Sequence, residues 1–396
     1  MTSTPAMTEP GAHRAAPAPR RILYLSGTRA DFGLMRACLQ SVASHARLEL
    51  AIAVTGTHLC AEFGDTVREI ESSGLRIAAR IPSDVATRER DGMARAVGQT
   101  LLGVTAELQR GAYDALLLLG DRGEMLAGAI AALHLGVPVV HVHGGERSGT
   151  VDEPMRHAIS RLASYHLAAT SESRERLIAM GEPAQRVFVV GAPGLDDIAP
   201  HLHTPRVTTL RALGLDPARD YALVLFHPVV QQAEQAGTQT LEMLAGLRQA
   251  GAGRDFDVLW LAPNADAGSA RIARELPAVG AGWHVLTHLP RPAYLDALRH
   301  AFALVGNSSS GIIEAASLGT PVLDLGMRQH LRERNPGVRS LPLRAEAIAP
   351  ALRSLLGAPR PAPHNVYGDG RAGQRIAALL AELDLHAGLL HKTLDY

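Results

Sequence analysis

The sequence predicts an α/β protein built from two Rossmann-like, doubly wound halves that face each other across a cleft. Three observations carry this expectation. From residue 21 onward short apolar runs alternate with amphipathic stretches, the pattern of parallel strands separated by helices. The alternation lapses in APHLHTPRVT (199–208) and then restarts. At 396 residues the chain has room for two domains of ordinary size.

Taken in order, residues 1–20 carry four prolines and no apolar core of a signal peptide, so they read as a disordered tail outside the fold. ILYLS (22–26), LELAIAV (48–54), ALLLL (115–119), VPVVHV (137–142) and VFVV (187–190) read as buried parallel strands, bounded by Gly, Asp or Pro. Helical patterns lie between them, over 123–135 and 155–164. The segment 199–208, rich in Pro and His, reads as a linker. YALVLF (221–226), DVLWLA (257–262), WHVL (283–286), FALVG (302–306) and PVLDL (321–325) form the second set of strands. PRPAPHN (359–365) is a loop, followed by a terminal helix from about residue 370. The expected units are therefore 1–20, 21–198, 199–375 and 376–396. In such sheets, ligands bind beyond the carboxyl ends of the strands.

Composition narrows the function. Lysine plus arginine and aspartate plus glutamate both number 39, which argues against binding nucleic acid by bulk charge. Apolar residues make up 46%, enough for packed cores, and no run approaches a membrane span. Cys38 and Cys60 are too few for a disulfide framework or a cysteine-based metal cluster, so a reducing, cytoplasmic setting is expected. Lys392 is the sole lysine.

Polar clusters sit at five strand ends. In GNSSSGIIEAASLG (306–319), small polar residues lead from a strand into a helix. Ser308, Ser309 and Gly311 would then offer hydroxyls and N–H groups to a diphosphate, unless one residue merely caps the helix. Glu314 could reach a ribose hydroxyl or simply complement the helix dipole. SGTRADFG (26–33) is not a G-x-G-x-x-G loop, so no dinucleotide cofactor is expected, while Arg29 could fork onto a phosphate. Asp121 follows ALLLLG and is either an N-cap or an acid–base group, with Arg122 beside it able to hold it ionised. The segment 141–157 is the densest, with His141, His143, Glu146, Arg147, Asp152, Glu153, Arg156 and His157. His141 and His143 could share a metal, but no HExxH or comparable spacing supports one, and tuned acid–base chemistry is the expectation. His227, in FHP, ends a strand of the second half and could face Asp121.

Together these stretches resemble the UDP-N-acetylglucosamine 2-epimerases, in particular the hydrolysing branch of sialic- and legionaminic-acid-type pathways. The resemblance rests on GTRADFG (27–33), TGTHL (55–59), GDRGE (120–124), HGGERSGTVDEPMRHAISRLASYH (143–166), GAPGLDD (191–197), FHPV (226–229), PNADAGS (263–269) and GNSSSGIIEAASLGTPVLDLGMRQ (306–329). It implies a glycosyltransferase-B architecture, a nucleotide-binding second half, and a C-terminal helix crossing back onto the first. It also implies UDP contacts from Arg29, Arg122, Asn264, Ser308, Ser309, Glu314 and Arg328, and chemistry from Asp121, Asp152 and His227. Many members carry Glu where this chain has His143, and a His–Gly–Gly–Glu version is similar to relatives acting on 6-deoxy diacetamido sugars.

The implied reaction couples loss of the C2 proton to departure of UDP, through a glycal that is then hydrated. It needs an acid and a base near C2 and a cationic cradle, but neither metal nor cofactor. A non-hydrolysing epimerase, a glycosyltransferase of the same architecture and a non-catalytic nucleotide-sugar sensor remain as alternatives. The expected partner is a UDP-sugar, with no nucleic acid and no membrane, and the chain is expected to form a homo-oligomer, a dimer or tetramer.

Overall fold

The computed structural model describes residues 18–85, 90–148, 152–263, 266–276 and 280–393. The first sheet contains β1 (Arg20–Ser26), β2 (Leu48–Thr55), β3 (Ile77–Ile81), β4 (Ala115–Leu119), β5 (Val139–Val142), β6 (Tyr165–Ala168) and β7 (Val187–Val189). The second contains β8 (Tyr221–Leu225), β9 (Asp257–Leu261), β10 (Trp283–Leu286), β11 (Ala303–Gly306), β12 (Val322–Leu325) and β13 (Val338–Leu341). Every pairing is parallel. The orders are β3-β2-β1-β4-β5-β6-β7 and β10-β9-β8-β11-β12-β13, so each sheet reverses direction beside its first strand.

This topology places the site. The crevice of an open parallel sheet lies where the strand order reverses. In the first half that is between β1 and β4, whose following loops are 27–28 and 120–122. In the second it is between β8 and β11, followed by 226–229 and 307–308. Four of the five polar clusters picked out in the sequence thus flank two switch points.

Burial explains why the central strands form. Ile22, Leu23, Tyr24 and Leu25 of β1, and Leu116, Leu117 and Leu118 of β4, are fully enclosed because helices cover both sheet faces. β3 and β13 were absent from the sequence expectation. Both are sheet edges, and residues such as Arg80, Arg339 and Ser340 face solvent, which dilutes the apolar signal. β6 was also missed. It is buried but carries His166, whose Nε2 lies 2.8 Å from Glu182 Oε2.

Three boundaries need correction. Arg20, assigned to the tail, belongs to β1: its N–H donates to the Arg47 carbonyl at 2.9 Å and its guanidinium to the Leu380 carbonyl at 2.9 Å. The linker 199–208 contains a 3-10 turn (Ala199–His203) and the start of helix Arg206–Ala212. The division at 375/376 falls inside helix Ala372–Glu382.

That last helix packs on helix Arg29–Ala43 of the first half. The approach is close, since a β-carbon on Gly373 would lie 2.6 Å from the Cys38 α-carbon. Asp196 caps the helix, accepting from the N–H groups of Ala372 at 2.9 Å and Gly373 at 2.5 Å. The following chain is tied down by Tyr165, Arg186 and Lys392; the Lys392 Nζ lies 2.6 Å from Glu182. Among the described residues no helix is long and apolar enough to cross a membrane.

Candidate active site

In the first half, Thr28 caps helix Arg29–Ala43 through a reciprocal box with Asp31, which sets Arg29 at the first helical position. The Arg29 guanidinium has no hydrogen-bond partner among the described residues, and burial lowers its pKa. Asp121 is not a cap. Helix Gly123–His134 begins at Arg122 without a side-chain cap, and the Asp121 carboxylate instead receives Nη2 of the buried Arg156. Arg122 reaches Glu124 and, across to the other half, Asp266 Oδ1, each at 3.4 Å.

The turn after β5 brings the next groups together. His143 has φ of 66°, a left-handed value uncommon outside glycine, and its Nδ1 pairs with Oε1 of Glu146. Gly145 has φ of 77°, and a β-carbon there would lie 2.2 Å from the Ser173 carbonyl oxygen, so the turn requires glycine. Arg156 Nη1 donates to the Glu146 carbonyl at 2.8 Å, linking this turn to Asp121. Asp152 opens helix Asp152–Leu162. His141 belongs elsewhere: its ring nitrogens face Ser160 Oγ at 3.1 Å and the Gly120 carbonyl at 2.7 Å. With both nitrogens engaged it fastens β5 to the loop after β4, and a metal site shared by His141 and His143 does not form. His157 pairs with Glu153 on the helix surface at 3.5 Å, and Arg147 is exposed.

In the second half, Gly306 has φ of 145°, and a β-carbon would lie 1.9 Å from the Leu225 carbonyl oxygen, so β11 can turn tightly beside β8. Asn307 clamps the neighbouring loop, accepting from the His227 N–H and donating to its carbonyl, both at 2.8 Å. Ser308 caps helix Ser309–Ile313, its hydroxyl accepting from the Ser310 N–H at 3.4 Å. Gly311 corrects the expectation of a free N–H: it donates to the Ser308 carbonyl at 3.1 Å, and a β-carbon would lie 2.9 Å from Val322 Cγ1, so it serves packing. Glu314 is enclosed and paired with Arg291, which also grips Asp197 and the Gly194 carbonyl. Arg328 Nη1 donates to the Asn307 carbonyl at 3.2 Å. Asn264 lies outside the described residues.

Electrostatics separates the carboxylates. Burial opposes ionisation of Asp121, but the Arg156 and Arg332 guanidiniums outweigh it and hold the group below the usual carboxylate range. Asp152 moves the other way, raised by burial and by the negative Asp121, with Arg328 only partly offsetting this. Glu146 is held low: burial is opposed by Arg332, His143 and Arg156. His227 is lowered to about 3 by burial and by Arg328, with Asp266 opposing and Arg29 and Arg122 adding to the effect. These neighbours come from both halves, so His227 lies in the cleft as a neutral imidazole in a cationic setting. Two carboxyl groups pushed apart beside a cluster of guanidiniums can transfer protons and receive a departing polyanion.

Residues 40–381 match the profile of the UDP-N-acetylglucosamine 2-epimerase family. The chain belongs to that family. A UDP-N,N'-diacetylbacillosamine 2-epimerase (hydrolyzing) from Legionella pneumophila is 43% identical over 384 residues, 95% of this chain and 100% of that protein. A UDP-N-acetylglucosamine 2-epimerase from Neisseria meningitidis is 32% identical over 320 residues, 81% of this chain and 83% of its own length. The crystal structure of a UDP-GlcNAc 2-epimerase from the same species, bound to UDP-GlcNAc, superposes with a TM-score of 0.77 at 19% identity, covering 92% of this chain and 100% of that one. The two doubly wound halves are the glycosyltransferase-B-like fold of that structure.

Within this family fold, the structure brings Asp121, His143, Glu146 and Asp152 to one wall of the cleft and His227, Ser308, Ser309 and Arg328 to the other. Two site residues have a role that the sequence does not signal. Arg156 stood in the dense 141–157 cluster, but its position on the inner face of a helix, 1% exposed and bonded to Asp121, is a tertiary fact. Arg332 carries no signal in the sequence. It lies in RQHLRERN (328–335), where four arginines or histidines give no hint of which one crosses to Glu146.

Proposed function

We infer that the protein is a hydrolysing UDP-sugar 2-epimerase that converts a UDP-linked 2-acetamido sugar and water into UDP and the free sugar of inverted C2 configuration. One observation carries the chemistry: the oppositely shifted Asp121 and Asp152 lie beside a cationic cleft. Support for the hydrolysing outcome comes from the full-length likeness to the Legionella enzyme of that name. C2 of the sugar has no adjacent carbonyl, so its proton is weakly acidic and must leave together with the C1 substituent. A cleft carboxylate takes the proton, the C2–H pair forms the C1–C2 double bond, and the C1–O pair leaves on UDP. Water then adds its hydroxyl to C1 while a proton arrives at C2 on the opposite face. Asp152, with its raised pKa, suits the proton transfers, and Asp121, fixed by Arg156, supplies a permanent negative charge beside it. Arg29, Arg122, Arg328 and the 308–309 turn receive the diphosphate, with Glu314 on the nucleoside side.

The finer assignment is a 6-deoxy-2,4-diacetamido sugar, as in legionaminic-acid-type pathways. His143 motivates it, because an imidazole offers one donor and one acceptor where a carboxylate would place a fixed charge. A cytoplasmic setting and a homo-oligomer complete this reading, the latter checked by light scattering. The test is incubation with UDP-GlcNAc and with the diacetamido analogue, without added cofactor, following products by NMR. UDP and a free manno-configured sugar are expected, with the analogue turned over faster. UDP-ManNAc as the product would make the enzyme non-hydrolysing. Binding of UDP-sugar without turnover would make it a sensor.

A further inference from the structure

Arg332 reaches across the cleft. It lies in the loop after β12, in the same half as the serine turn, yet its Nη1 donates to Oε2 of Glu146 in the other half. The second oxygen of Glu146 accepts from His143 Nδ1. One carboxylate therefore joins a guanidinium of the second half to the imidazole of the first. The Arg332 side chain is only 10% exposed, and its Nε has no partner among the described residues. The next residue makes a separate crossing: Glu333 accepts from Thr170 Oγ1 at 2.5 Å and from Arg176 Nη2 at 2.9 Å. Adjacent residues thus bridge the halves differently. Glu333 ends on the partly exposed Arg176, whereas Arg332 ends on the carboxylate–imidazole pair.

We propose that Arg332 is a positioning residue for the epimerase chemistry, docking on Glu146 from the opposite half and thereby fixing the Glu146–His143 pair at the sugar's reacting edge. The proposal rests on the epimerase reading above. Its physical basis is a buried carboxylate with two oxygens and two charge-assisted partners, which leaves it a single orientation. With Nδ1 bound to Glu146, Nε2 is the ring nitrogen left for the sugar. The groups facing Glu146 are Arg332, His143, Arg156, Asp121 and Tyr367. Burial drives its carboxyl toward the neutral form, and Arg332 is the strongest charge opposing this. Without Arg332 the carboxyl holds its proton to higher pH, and the pair loses both its charge and its alignment.

Two measurements on the full chain test this. In protein labelled with 13C at glutamate carboxyls, the Glu146 resonance is assigned by its loss in Glu146→Gln. Arg332→Gln should move its titration upward by about one pH unit or more, while Glu333→Gln leaves it in place. At saturating substrate, Arg332→Gln should lose about 10²-fold in kcat with KM little changed, the scale of a misplaced reacting group. Arg332→Lys should recover part of this loss, because it keeps the charge without the fork, whereas Glu333→Gln should leave kcat in place. If Arg332→Gln does not fold, Arg332→Met, which keeps apolar length, carries the same comparison. A Glu146 resonance that titrates identically with and without Arg332 overturns the proposal, whatever the substrate is. Failure of the unaltered protein to release UDP from either sugar overturns the epimerase reading instead, and leaves the resonance comparison decisive for Arg332.

Discussion

Single side chains decide the chemistry through their partners. Asn caps a helix about as well as Asp, so Asp121→Asn would be silent if Asp121 were a cap. In the structure it is bonded to Arg156, and removing its charge takes away the negative member of the carboxylate pair. The expected result is a fall in kcat of roughly 10²-fold or more, with UDP affinity retained in calorimetry; full activity in a stable variant would remove Asp121 from the mechanism. His143→Glu makes a different comparison. It sets a second carboxylate against Glu146 in place of the donor that Nδ1 provides. We expect kcat/KM for the diacetamido sugar relative to UDP-GlcNAc to drop about tenfold, a difference of about 1.4 kcal/mol in transition-state binding. An unmoved ratio means His143 does not select the substrate. The Asp121–Arg156 pairing was not legible in the sequence, because the two lie 35 positions apart and a helix face chooses between Arg156 and its charged neighbours.

At the scale of an element, the turn from β11 into helix Ser309–Ile313 divides its labour. Ser308 caps, Gly306 and Gly311 permit close approach, and Asn307 holds the His227 loop. Ser309 has no capping duty, so Ser309→Ala should weaken UDP binding without unfolding the turn. The loss should match one hydrogen bond to a charged group, about 1.5–3 kcal/mol. Arg328→Ala should cost a similar amount by the same measure. Unchanged UDP affinity in both variants would put the diphosphate somewhere else. The sequence identified this turn because small polar residues between an apolar strand and a helix have few other uses. It could not separate cap from contact, since both demand serine. The edge strand β13 was hidden for a related reason: it reads VRSL, and solvent on one side erases the apolar run.

For the whole molecule, stability should depend on pH through imidazoles whose charging the fold opposes. Burial lowers His141 to about 3 from the ordinary histidine value of 6.5, and His227 likewise falls to about 3. Between those values the unfolded chain binds protons that the folded chain refuses, so unfolding is favoured as pH drops. Their contribution is fully present above 6.5 and is progressively lost as the pH falls toward 3. Melting temperature should therefore decline below about pH 6.5, measured by calorimetry. UDP should lessen the decline because a diphosphate offsets the cations around His227. A melting temperature flat from pH 7 to pH 4, with and without UDP, would contradict this account.

The alternation of strands and helices, the division into two halves and the loops that carry the polar groups are legible in the chain alone, because apolar periodicity and Gly, Pro and Asp punctuation are local properties. Tertiary structure alone decided which of those polar groups meet. Arg332 and Glu146 are 186 residues apart, and Arg122 and Asp266 are 144 apart. Only the apposition of two switch points brings them within bonding distance, and only there do the Arg156 and Arg332 guanidiniums overcome burial at Asp121 while burial and the negative Asp121 raise Asp152.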